Sequence, residues 1–199
     1  LGFFRRNARD DDTTWPFGID PRLGVEENML AVAVRCADAE IAAKKTGKLS
    51  SMGSTVAALV VRDEHAIIGH VGDSRVYRLR GGKLTQLTRD HSLYQEMLAM
   101  GTPMPPREQF PHSNVITRAL GMKPSSRPDL ATEPLRAGDV FLLCTDGLTE
   151  TVTEERMTEA LLAMPLQDAV DRLVAEAYER GGRDNITVVA VRVKSVTQP

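Results

Sequence analysis

Cysteine is scarce in this chain. Cys36 and Cys144 are its only two among 199 residues, each inside an apolar segment. That excludes a disulfide-stapled scaffold or a thiolate metal cluster and fits buried free thiols in a reducing compartment. An excess of one charge is also missing. A net charge of −2 at pH 7 offers no electrostatic footprint for nucleic acid or an anionic membrane. No apolar run approaches the ~20 residues of a membrane span, and none has a signal-peptide layout. Internal repeats, low-complexity tracts and a linker between two domains are absent as well. The expectation is a cytoplasmic globular protein, with length enough for one well-buried domain. The chain opens with Leu1-Gly-Phe-Phe-Arg-Arg-Asn-Ala-Arg9, without an initiator Met. This reads like the end of a helix, so the parent protein is expected to continue towards its N-terminus.

What is present centres on Phe141-Leu-Leu-Cys-Thr-Asp-Gly-Leu-Thr149. Its apolar start predicts a buried strand that Asp146 and Gly147 break, delivering a carboxylate to a sheet edge where glycine lets the backbone turn away. Two other places do the same. Ile67-Ile-Gly-His-Val-Gly72 runs into Asp73, and Arg183-Asp184-Asn185 opens a last strand over residues 186–193. If the strands are antiparallel neighbours, the end of one lies beside the start of the next. Asp73, Asp146 and Asp184 then meet at one rim as hard oxygen ligands.

Around these points the pattern alternates between helices and strands. The loop at residues 13–21 carries two prolines and is pinned by Trp15 and Phe17. Residues 26–45 have helical periodicity, with Met29, Leu30, Ala33, Cys36, Ala37 and Ile41 on one face and Gly47 as the stop. Strands at 55–62, 65–72, 75–80 and 83–87 follow, joined by turns too short for crossover helices, and read as an antiparallel meander. His70, among apolar neighbours on the second strand, reads as a satisfied core or edge histidine rather than a ligand. Ser92-Leu-Tyr-Gln95 fits a capping box for a short helix. Residues 101–111, with four prolines, read as an ordered surface flap. Residues 114–119 and 129–133 are weaker strands. Thr153 caps a helix to Ala163, and Pro165 starts another to about Arg180. Strands interrupted by helix pairs suggest layered sheets with helices outside.

Carboxylates without thiolates favour Mg²⁺ or Mn²⁺. Clustered at one rim they repel one another, so a cation would relieve them. Two such ions about 3.5–4 Å apart can activate a water for in-line displacement at phosphorus. Asn185, beside Asp184, is a neutral amide suited to orienting a water or a phosphate oxygen. Taken singly, each aspartate also reads as an ordinary turn residue; the shared strand-edge placement is what joins them.

Gly72-Asp-Ser-Arg75, Thr145-Asp-Gly-Leu-Thr149 and Asp184-Asn-Ile-Thr187 occur in an order that resembles the metal-dependent serine/threonine protein phosphatases of the PP2C (PPM) type, bacterial members above all. Met52-Gly-Ser-Thr55, Leu87-Thr-Arg-Asp-His-Ser92 and Asn114-Val-Ile-Thr-Arg-Ala-Leu-Gly121 resemble further family segments. The resemblance extends over nearly the whole chain. It implies an α+β fold, a four-layer α-β-β-α sandwich of two antiparallel sheets flanked by helices. It also implies a Mg²⁺/Mn²⁺ centre at one end, where a water bridging two ions attacks phosphoserine or phosphothreonine without a covalent intermediate. By position Asp146 and Asp184 would hold the two central ions, Asp73 would join Asp146 at a third, weaker ion, and Asn185 would support water and phosphate. Phosphorylated proteins and a cognate Ser/Thr kinase are the implied partners, and a monomer is expected.

The chain also departs from that pattern. The family's phosphate-binding arginine, its Asn-Glu-Asp-like motif and the Asp-Gly-x-Gly-Gly motif with the metal-bridging aspartate have no counterpart. Arg5, Arg6, Asn7 and residues 10–12 resemble the first only superficially. Residues 1–199 therefore read as the C-terminal portion of a single phosphatase domain, active in the parent and inactive alone. Two other readings compete. A strand ending in Asp-Gly resembles the haloacid-dehalogenase motif, but Cys144 stands where that motif has its nucleophilic aspartate. A catalytically incomplete domain that binds phosphoproteins or a regulatory partner is the non-enzymatic alternative.

Overall fold

The computed structural model describes residues 15–122, 127–182 and 184–196. The segment at residues 1–9 expected to end a helix, the acidic run at 10–12 and Arg183 lie outside the described residues. Among the described residues, seven strands and five α-helices follow one another. Helix α1 (Val25–Lys44) precedes β1 (Val56–Arg62), β2 (His65–Val71), β3 (Arg75–Arg80) and β4 (Lys83–Gln86). Helix α2 (Leu93–Ala99), β5 (Asp129–Pro134) and β6 (Val140–Cys144) come next, then α3 (Asp146–Thr149), α4 (Glu154–Ala163), α5 (Leu166–Glu179) and β7 (Val188–Arg192).

The strands form two antiparallel sheets, one in the order β1-β2-β5 and the other β4-β3-β6-β7. This corrects the meander. β1–β2 and β3–β4 are hairpins, but the chain leaves one sheet after Val71 and enters the other at Arg75. Alternation along each strand then builds the layers, because successive side chains point to opposite faces. Ile67 and Val71 pack with Leu30 and Val34 of α1, whereas Ala66 and Ile68 pack with Val76 and Phe141 between the sheets. On the far side Tyr77, Leu79, Leu142 and Cys144 pack against Met157, Leu161 and Leu173 of α4 and α5. Three apolar interfaces thus separate four layers, helix, sheet, sheet, helix, as expected.

Local signals hold where they were strong. Thr153 Oγ1 accepts from Arg156 N and Ser92 Oγ from Gln95 N, each opening its helix. Phe17 is fixed by the Arg35 guanidinium lying 4.2 Å from its ring centre. Residues 101–111 form an irregular flap with one 3₁₀ turn at Arg107–Gln109. Two strand readings are corrected. Residues 114–119 make no strand, since among them only Ile116 makes an isolated bridge, to Ser92, and the next bridge, Leu120 with Ser54, goes to a different segment. The last strand begins at Val188 rather than Ile186, because Cys144, the last residue of β6, pairs with Val188.

Candidate active site

The register of the second sheet sets the geometry. Arg75 pairs with Cys144, and Cys144 with Val188, so β3 starts, β6 ends and β7 starts at one edge. Asp73, Asp146 and Asp184 sit just beyond those residues, on one rim of the sandwich.

Asp73 is the buried member, at 6% exposure. Burial, and next the charge of Asp146, push its carboxyl up from 3.8 to about 6. Asp90 adds repulsion and Arg107 opposes it. Asp146 is half-buried at the first position of α3, its Oδ1 accepting from Gly147 N at 2.9 Å. Asp184 is exposed, with Oδ1 accepting from Asn185 N at 2.6 Å. Asn185 is also exposed, and its carbonyl accepts from Thr145 Oγ1 at 2.9 Å. Thr187 N donates to the same Thr145 hydroxyl at 3.0 Å, which ties the two segments together.

The chain leaves β6 and turns at Asp146–Thr149 as expected, but Gly147 has no left-handed backbone and is required there for another reason. A Cβ there would lie 2.7 Å from the Asn185 carbonyl oxygen, so glycine is needed for close approach of two backbones. Gly72 combines both reasons, with a φ of +108° and a Thr55 methyl 2.3 Å from where a Cβ would sit. Thr55 and Ser74 hydroxyls bond at 2.8 Å, so the 52–55 turn packs beside Asp73.

Behind the rim lies a network that sequence reading did not assign. Asp90, 3% exposed, receives Arg75 Nε at 2.8 Å and Nη2 at 2.7 Å, and Arg107 Nη1 from the flap at 2.8 Å. Burial alone would raise the Asp90 carboxyl, but the two guanidinium groups outweigh it and hold it below the usual range. The flap is thereby fastened next to Asp73. A cleft of about 730 Å³ opens there, lined by Arg75, Arg107 and Pro111 on one side and Thr149 and Glu150 on the other. The signal for Asp90 was its place in the 87–92 segment; for Arg107 the sequence carries none. His70 is buried as expected, its Nε2 2.8 Å from the Arg89 carbonyl oxygen.

Against known proteins, the family model described as protein phosphatase 2C matches residues 5–184. Protein phosphatase PhpP of Streptococcus pneumoniae is 41% identical over 142 residues, covering 70% of this chain and 58% of PhpP. The crystal structure of the Mycobacterium tuberculosis serine/threonine phosphatase PstP/Ppp superposes with a TM-score of 0.80 at 36% identity, over 88% of this chain and 75% of that one. The catalytic domain of PstP in complex with 2 manganese ions superposes with a TM-score of 0.78 at 35% identity, over 94% and 76% respectively. The chain thus spans 58% of the length of the first of these relatives.

Proposed function

This chain belongs to the protein phosphatase 2C family, and from that premise we propose that it hydrolyses phosphoserine and phosphothreonine in proteins with Mg²⁺ or Mn²⁺. The observation that carries the reading is the pairing of Asp73 with Asp146, in which burial and like charge force one carboxyl up to about 6. An all-oxygen, mutually repelling donor set suits a hard divalent cation, which relieves the repulsion it fits. Bound there, such cations neutralise phosphate charge and lower the pKa of a water.

In this reading Asp146 and Asp184 hold the two central ions, and Asp73 with Asp146 a third, weaker one. Asn185, fastened through its carbonyl to Thr145, orients a water or phosphate oxygen. Three carboxylates are few for two or three dications. The reading therefore includes further anionic ligands from a family N-terminal block, with residues 1–199 the C-terminal portion of one domain and nearly inactive alone. Phosphorylated proteins are the substrates, a cognate Ser/Thr kinase the opposing enzyme, and the protein a cytoplasmic monomer. Among the described residues no helix is long and apolar enough to cross a membrane.

The test is Mn²⁺-dependent hydrolysis of an aryl phosphate and a phosphothreonine peptide, by residues 1–199 and by the parent. Asp146→Ala or Asp184→Ala should abolish turnover by the parent; Asp73→Ala should weaken it and leave the central ions bound. Positioning and charge stabilisation supply nearly all catalysis in phosphoryl transfer, so robust turnover without Asp146 would overturn the mechanism. The second reading is a phosphoprotein-binding domain without turnover. Saturable phosphopeptide binding by an inactive parent would decide for it.

A further inference from the structure

A buried imidazole needs a partner for each ring nitrogen, and the partners reveal what the ring holds. His91, 6% exposed, stacks on His70 with ring centres 4.6 Å apart. Its Nδ1 faces Gly72 N at 3.0 Å, and a backbone N–H can only donate. Nδ1 is therefore the acceptor and Nε2 carries the ring proton, which it donates to Asp129 Oδ2 at 3.1 Å. Arg118 Nη1 donates to the other oxygen, Asp129 Oδ1, at 2.8 Å. Arg118 Nη1 also lies 2.8 Å from His91 Nε2, but both nitrogens carry protons in this tautomer, so Arg118 bonds to Asp129 and not to the ring.

The main chain of His91 repeats the grip. His91 N donates to Gly72 O at 2.9 Å, so one residue holds both the N–H and the carbonyl of Gly72. Gly72 is the residue with a φ of +108° where the chain passes between sheets, and the next residue is Asp73. A small rotation at Gly72 would swing Asp73 away from Asp146.

We propose that His91 is the positioning residue of this metal centre, clamping Gly72 so that the Asp73 carboxylate stays opposite Asp146. The proposal rests on the reading of Asp73 as a cation ligand. The cluster is not itself a cation site. Ligand atoms of His70, His91 and Asp129 lie within 4.8 Å of one another, but the Arg118 guanidinium already supplies the positive charge between His91 and Asp129. Asp129 fixes the ring's tautomer, Arg118 fixes Asp129, and the acceptor on the far side of the ring is left for Gly72.

Three substitutions separate this from a packing role. His91→Asn keeps an amide oxygen near the Nδ1 position but loses Asp129. His91→Gln reaches the Nε2 position and loses the acceptor for Gly72. His91→Leu loses both. In the full chain, Gly72 amide exchange should accelerate about 3- to 10-fold in the Gln and Leu variants, the effect of one lost hydrogen bond, and stay near wild type in Asn. Mn²⁺ affinity at the ion that Asp73→Asn weakens should fall about 10-fold or more in Gln and recover in Asn. In an Asp73→Asn background His91→Gln should change Mn²⁺ binding no further. Unchanged Gly72 exchange in His91→Gln, or equal Mn²⁺ losses in Gln and Asn, overturns the positioning role. If Asp73→Asn alone leaves Mn²⁺ binding intact, the metal reading of Asp73 fails, and the proposal falls with it.

Discussion

Gly147→Ala isolates the contact that brings Asp146 beside Asp184 and Asn185. Gly147 is buried in the single turn of α3 and has no left-handed backbone, so the substitution adds one methyl and no dihedral strain. That methyl would meet the Asn185 carbonyl oxygen at 2.7 Å, its carbon at 3.2 Å and Ile186 Cγ1 at 3.2 Å. The nearest obstacle is backbone and cannot change rotamer, so the 185–187 segment must move away. Overpacking of this kind costs about 1–3 kcal/mol. Replacing glycine within a helical turn returns at most about 1 kcal/mol. A net loss of about 1–2 kcal/mol should lower Tm by roughly 2–8 °C for a chain of this length. The movement would also lengthen the bonds from Thr145 Oγ1 to Asn185 O and from Thr187 N to Thr145 Oγ1. Thermal melts by circular dichroism read the stability, and hydrogen exchange at the Thr187 amide reads the local separation. A variant as stable as wild type with Thr187 still protected would refute the close approach. In the parent, the same substitution should raise the Mn²⁺ concentration needed for half-maximal turnover.

Two further outcomes follow from other parts of the molecule. Arg80 donates to both oxygens of Asp139 at 2.7 and 2.6 Å, and the Asp139 side chain is 1% exposed. Burial would raise that carboxyl, but Arg80 and the Arg136 N–H hold it below its ordinary 3.8. A depressed pKa stabilises fully above the unfolded value, and the contribution is lost as pH falls through the folded one. Arg80→Leu should therefore cost about 3 kcal/mol at pH 7, and the Tm gap to wild type should narrow below about pH 3.8. A gap independent of pH would refute the assignment. Replacing flap residues 101–111 by a Gly-Ser linker removes Arg107 from Asp90. Turnover of phosphoproteins by the parent should then change more than turnover of an aryl phosphate, and equal effects would count against a role in selectivity.

Short-range physics made much of this chain legible. The Thr153 and Ser92 caps are set within one helical turn, and the alternation that places Ile67 and Ile68 on opposite faces is set within one strand. An apolar run ending in aspartate was enough to mark Asp73 and Asp146, because sheet edges are where a strand can release a carboxylate. Other features depended on partners far along the chain. Each of β2 and β3 is apolar enough to lie beside the other, and only three-dimensional packing put them in different sheets, with Gly72 at the crossing. Residues 114–119 have strand-like composition, yet the bridges of Ile116 and of the adjoining Leu120 go to separate segments, so no ladder forms. Gly147 looked like a turn glycine until the Asn185 carbonyl was seen against it. The clamp of His91 on Gly72 spans 19 positions of sequence and leaves no periodic trace. Periodicity encodes which face of an element is buried; which element lies across that face is decided by the competition of all the faces at once.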